Sequence, residues 1–110
     1  MLRFAPSIHL VRVLPMSIVN YLDKDQVLIG VPSRSKKQVI EELAKRAATL
    51  TGLRRRCLLD MVMRRERLGS TGIGSGIAIP HAVHGDLSRT LAILAILETS
   101  IDFDAIDGQP

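Results

Sequence analysis

Residues 69–82 read GSTGIGSGIAIPHA, and the whole chain is best understood outward from this stretch. Four of the eight glycines, Gly69, Gly72, Gly74 and Gly76, fall within eight positions. Glycine meets no steric penalty at positive φ, so such a run can aim consecutive backbone N–H groups at one point and build an anion nest. The β-branched run Ile77-Ala78-Ile79 that follows suits a buried strand. Pro80 and His81 end it, so the strand presents one imidazole beside the loop. A nucleophilic ring nitrogen next to a phosphate-sized cradle, here Gly72, Gly74, Ser75 and Gly76, is the combination that accepts a phosphoryl group.

Two nucleotide-binding alternatives fail on their own requirements. Gly69 and Gly74 have the glycine spacing of a Walker A loop, but Ser75 and Gly76 stand where Lys and Ser/Thr are needed. No G-x-G-x-x-G can be traced, and a helix rather than a strand is expected before the glycines. A turn with a packed core histidine remains the plain alternative from the residues alone.

On the N-terminal side, Val27-Leu28-Ile29 before Gly30 and Pro32 reads as a first strand. Ser35 and Gln38 form a capping box, and Val39, Leu43, Ala47 and Leu50 recur at helical spacing until Gly52. A second helix is expected over about Arg54 to Arg67. There Leu58, Met61, Val62 and Arg65 share one stripe, so Arg65 lies on the apolar face at the end nearest the glycines. It either snorkels to solvent, the commoner case for such spacing, or turns inward to bind phosphate oxygens bidentately. Ile18 to Leu22 reads as a helical turn. On the C-terminal side Leu91 to Leu97, LAILAIL, reads as a strand buried on both faces. The aspartates of IDFDAIDGQP (101–110) lack calcium-loop spacing and are expected in a polar loop.

The 110 residues, 46% hydrophobic and 24% charged, suit one globular domain. A single cysteine, Cys57, excludes an internal disulfide and fits a reducing, cytoplasmic setting. No apolar run approaches membrane-spanning length. The net charge of +4 conceals an asymmetry: residues 1–67 carry 14 Lys/Arg against 6 Asp/Glu, whereas residues 68–110 carry 1 against 5. A basic half can attract polyanions, but 3% aromatic content leaves almost no stacking platform, and no nucleic-acid partner is expected. His81 and His84 have an H-x-x-H spacing without a third ligand nearby, so no metal is expected.

The segment RRERLGSTGIGSGIAIPHA resembles the active-site segment of phosphotransferase system enzyme IIA domains of the fructose/mannitol type, most of all the nitrogen-regulatory branch. At lower density the likeness runs from about Ser17 to Pro110. It implies an α/β fold with a mixed central sheet flanked by helices. It also implies His81 as phosphoryl acceptor through Nε2, and Arg65, in the Arg65-Glu66-Arg67-Leu68 match, as the arginine that stabilises the phosphate. No cofactor is implied. The implied donor is an HPr-like phosphocarrier, and the acceptor a regulated protein or an enzyme IIB, in a nitrogen-regulatory relay or in fructose/mannitol uptake. Arg54-Arg55-Arg56 departs from the acidic residues common there in the family.

Two expectations concern the chain's extent. Residues 1–15 do not fit the family pattern and lack the features of a secretory signal, so they are expected to be a disordered or loosely packed extension to a domain over 16–110. After Pro110 the family continues with further strands, a second active-site histidine and closing helices, so a fragment or truncated product is expected, with its sheet edges exposed. Met16 is followed by SIVNYLDKDQVLIGV, which resembles a family start. Translation is therefore expected to begin at Met16, and an intact mass of the native protein that includes residues 1–15 would overturn this.

Overall fold

The computed structural model describes residues 2–4 and 22–110. The elements run β1 (Leu2–Phe4), a 3-10 turn (Lys24–Gln26), β2 (Val27–Val31), α1 (Lys36–Thr51), α2 (Arg55–Arg67), β3 (Gly72–Gly74), β4 (Ile77–Ala78) and β5 (Ile93–Leu97). The fold class is α/β as expected, with the parallel and antiparallel pairings divided between two sheets. β5 lies between β1 and β2, parallel to both, and β3 pairs with β4 in an antiparallel hairpin. In β1, Leu2, Arg3 and Phe4 pair with Ile93, Leu94 and Ala95, and the rest of the extension expected over residues 1–15 lies outside the described residues. An apolar central strand offers unpaired N–H and C=O groups along both edges, and three extended residues satisfy one of them. Of the helical turn expected over Ile18 to Leu22, residues 18–21 lie outside the described residues, and Leu22 is not helical.

Central position explains the LAILAIL run. Ile93, Leu94 and Ala95 are consecutive and all buried, which in a strand means that both faces are covered. α1 covers one side through Val39, Ile40 and Leu43, and Val62, Ala78, Ile101 and Phe103 complete the core. β2 is an edge strand, and its Ile29 is 78% exposed.

The helix ends follow local chemistry. Ser35 Oγ accepts the Gln38 N–H at 3.2 Å, as the capping box requires. The reciprocal bond is displaced by one residue, because Gln38 Oε1 accepts from the Arg34 N–H at 2.8 Å. Gly52 ends α1 at φ 75°, the left-handed position that glycine takes without strain. Arg54 is the N-cap of α2 and makes no side-chain capping bond. Arg54, Arg55 and Arg56 therefore sit at the positive end of the helix dipole, whereas Arg64, Arg65 and Arg67 complement its negative end.

One buried ion pair ties these pieces together. Glu66, 5% exposed near the end of α2, meets Lys36 Nζ of the first turn of α1 at 2.7 Å. Lys36 also lies 4.8 Å from the centroid of the Phe103 ring and 3.5 Å from the exposed Asp104 carboxylate. Removing one member of a buried pair strands the other charge, whereas replacing both with apolar groups of similar volume is far better tolerated. Lys36→Ala is expected to cost about 3 kcal/mol in urea unfolding, and Asp104→Ala less than about 1 kcal/mol. Lys36→Met/Glu66→Leu should recover most of the loss; equal losses in the single and double variants would contradict this account.

Candidate phosphoryl-acceptor site

The glycine-rich segment folds as a tight hairpin rather than a nest. Gly72 pairs with Ala78 and Gly74 with Ile77, while Ser75 and Gly76 form a two-residue turn with φ of 56° and 71°. Two consecutive positive φ values are the signature of the turn whose twist matches that of the strands. The hairpin is pressed against the C-terminal loop. A Cβ on Gly72 would lie 2.8 Å from Ala105 Cα, and one on Gly74 would lie 3.0 Å from Asp107 Oδ2. Glycine is thus required at Gly72 by close approach of another backbone, and at Gly74 by a φ of 93° beside the Asp107 side chain.

Of the cradle expected from Gly72, Gly74, Ser75 and Gly76, two amides are engaged within the chain. The Gly72 amide donates to Ser70 Oγ at 3.0 Å, and the Ser75 amide to Asp107 Oδ2 at 3.0 Å. Gly76 borders a cleft with Leu97, Ile101 and Phe103, whereas His81 borders a separate one with Leu58, Met61 and His84. One loop amide, that of Ser75, holds a carboxylate of the same chain, Asp107.

His81 is organised from the other end of the hairpin. The Ile79 N–H donates to the Thr71 carbonyl at 3.0 Å, continuing the ladder beyond the Gly72–Ala78 pair toward Gly69 and His81. The exposed His81 ring then turns back, with Nδ1 2.8 Å from the Ile79 carbonyl oxygen. A carbonyl oxygen only accepts, so Nδ1 carries the proton and Nε2 of the neutral ring keeps its lone pair. His84 has the opposite arrangement. Its Nδ1 accepts the Asp86 N–H at 3.1 Å, which puts the proton of its neutral ring on Nε2, 3.9 Å from Cys57 Sγ.

Arg65 is half-buried, whereas Arg64 and Arg67 are exposed. Its guanidinium donates to the Gly69 carbonyl at 2.9 Å. It thus reaches the base of the hairpin, the end to which His81 belongs. The buried centre of the α2 stripe is Val62 and Glu66, so Arg65 lies on its margin.

Glu66, Thr71 and Lys36 were not anticipated from the sequence. The Glu66 carboxylate accepts the Thr71 N–H at 3.1 and 3.2 Å and also the Thr71 hydroxyl, in addition to its ion pair with Lys36. The available signal was a carboxylate four residues after Val62 on the buried face, directly before the glycine segment. Among the described residues, no three His, Cys, Asp or Glu side chains converge to hold a metal ion, and no helix is long and apolar enough to cross a membrane.

Comparison with known proteins matches residues 20–110 to the family described as "Phosphoenolpyruvate-dependent sugar phosphotransferase system, EIIA 2". The chain is 39% identical over 95 residues to a nitrogen regulatory protein of Bradyrhizobium diazoefficiens, covering 86% of this chain and 62% of that protein. It is 40% identical over 96 residues to one from Klebsiella oxytoca, covering 86% and 59%. The crystal structure of nitrogen regulatory protein IIA-Ntr from Neisseria meningitidis superposes with a TM-score of 0.77 at 31% identity, covering 84% of this chain and 64% of that one. The chain thus spans about three fifths of the length of these relatives.

The Asp107 carboxyl is held below its ordinary value of 3.8, chiefly by the Ser75 amide and then by the Gln109 amide. A depressed carboxylate stabilises the fold above its unfolded pKa and ceases to do so as pH falls through its folded pKa. The contact between hairpin and loop is accordingly expected to persist at neutral pH and to weaken only below the ordinary carboxylate range. Ser75 amide shifts and exchange rates followed through an acid titration check this, with the transition absent in Asp107→Asn.

Proposed function

The chain belongs to the EIIA type-2 family of the phosphoenolpyruvate-dependent sugar phosphotransferase system, and on that premise we propose that it is a phosphohistidine carrier whose His81 accepts a phosphoryl group from an HPr-like protein. The observation that carries the reading is the 2.8 Å contact of His81 Nδ1 with the Ile79 carbonyl, on a ring that is exposed. It leaves Nε2 as the nucleophile, and exposure lets a donor protein bring its phosphohistidine into line.

In this reading the Nε2 lone pair forms a bond to phosphorus as the bond to the donor nitrogen breaks. The donor ring leaves with that electron pair as a neutral imidazole. The His81 ring keeps its Nδ1 proton and becomes cationic, and the Ile79 carbonyl stabilises the charge that develops. In a loose phosphoryl transition state the protein's task is positioning and charge stabilisation. Arg65, the half-buried guanidinium at the hairpin base, is the group assigned to the phosphoryl oxygens. The phosphoryl group passes between two ring nitrogens, so its transfer potential is retained rather than lost to hydrolysis.

The relatives called nitrogen regulatory proteins favour a regulatory output for the same site. Phosphorylation would change the charge of the His81 face by up to about two units, enough to admit or repel a partner. The recipient in that case is a regulated protein, and in a sugar-specific relay it is an enzyme IIB.

Incubation with phosphoenolpyruvate, enzyme I and an HPr-type carrier tests the assignment. Acid-labile label is expected on the wild type and His84→Ala and to be absent from His81→Ala. Arg65→Ala should slow uptake by about a hundredfold, and Arg64→Ala by far less. Label retained by His81→Ala, or equal slowing by the two arginine variants, would reject the corresponding role.

A further inference from the structure

The His81 ring is attached to the interior of the fold by a chain of contacts that begins at Glu66. Lys36 Nζ meets Glu66 at 2.7 Å, and Glu66 accepts the Thr71 amide and hydroxyl. The Thr71 carbonyl accepts the Ile79 N–H at 3.0 Å, and the Ile79 carbonyl faces His81 Nδ1 at 2.8 Å. Residues 36, 66, 71, 79 and 81 thus link the first turn of α1, the last turn of α2, the two arms of the hairpin and the ring.

We infer that Glu66 is a positioning residue for His81: by clamping Thr71 it sets the register of the hairpin base, and through Ile79 it selects the Nδ1–H tautomer that exposes the Nε2 lone pair. This rests on the carrier reading of His81. Three features separate it from a purely structural ion pair. The Glu66 side chain is 2% exposed, and it spends its acceptor capacity on Thr71 as well as on Lys36, although Asp104 also faces Lys36. Thr71 is the residue paired with Ile79, whose carbonyl holds the ring. A carboxylate binding two donors of one residue restrains its rotation as well as its position, which a single hydrogen bond does not. His84 lies outside this chain of contacts, and its ring carries the opposite tautomer.

The ring's tautomer is directly readable from long-range proton–nitrogen correlations of the imidazole in full-length protein. Wild type should show one form, with Nδ1 protonated and Nε2 bare. In Lys36→Met/Glu66→Leu, which removes the acceptor without stranding a charge, the His81 signals should move to a mixture of both tautomers. Phosphoryl uptake from an HPr-type carrier should fall at least tenfold, while helical content is kept. Glu66→Gln is the second variant, and there the shift should be smaller but in the same direction, because an amide oxygen still accepts one Thr71 donor. Thr71→Ser retains amide and hydroxyl and should match wild type in both readouts. A folded double variant, or failing that a folded Glu66→Gln, that retains the single wild-type tautomer overturns the positioning role. Failure of wild type to take up label at His81 would instead overturn the carrier reading, and the tautomer measurement would still decide the link between Glu66 and the ring.

Discussion

The fold turns on one carboxylate out of water. Glu66 is buried beside Lys36, and a charge in that setting persists only when its lone pairs are filled and a counter-charge is close. The requirement is met by two parts of the chain at once: the opening turn of α1 supplies the ammonium, and Thr71 supplies an amide and a hydroxyl. Because these donors belong to different elements, satisfying the charge fixes where α1, α2 and the hairpin meet. An apolar contact of the same area would hold them together without specifying their angle or register.

The hairpin then connects this interior anchor to the surface. Its base is tied to Glu66 through Thr71, and its tip to the C-terminal loop through the Ser75 amide and Asp107. Ser70 Oγ adds a bond of 2.7 Å to the Phe103 carbonyl, and the Ile106 N–H one of 3.2 Å to the Gly72 carbonyl. Held at both ends, a short antiparallel pair that would be marginal alone becomes a rigid support. His81 follows directly from it. The ring is exposed, yet its Nδ1 is engaged, and in the proposed carrier role this leaves one nitrogen open to a donor protein and the other held by the backbone.

Much of this was legible in the residues. The ends of α1 follow from Ser35, Gln38 and Gly52, since capping is chemistry within a few positions. The central strand follows from LAILAIL, because only a strand covered on both faces tolerates such a run. The place of Arg65 on the α2 stripe follows from helical periodicity, and of Arg64, Arg65 and Arg67 it is the half-buried one. The use made of the glycine-rich segment is not legible in the residues, for an instructive reason. Glycine permits both a nest and a close approach, and which use prevails depends on what lies against it. Here the neighbours are Ala105 and Asp107, more than thirty positions away.

The boundary between what sequence alone determined and what tertiary structure decided is therefore one of range. Helix and strand positions, the candidate nucleophile and the arginine stripe depend on spacings of a few residues, where backbone geometry repeats predictably. The burial of Glu66, the service of the glycines as packing surface and the opposite tautomers of His81 and His84 depend on partners the fold brings together. A proton resides on one ring nitrogen or the other according to which backbone group faces it, and no local pattern of residues encodes that.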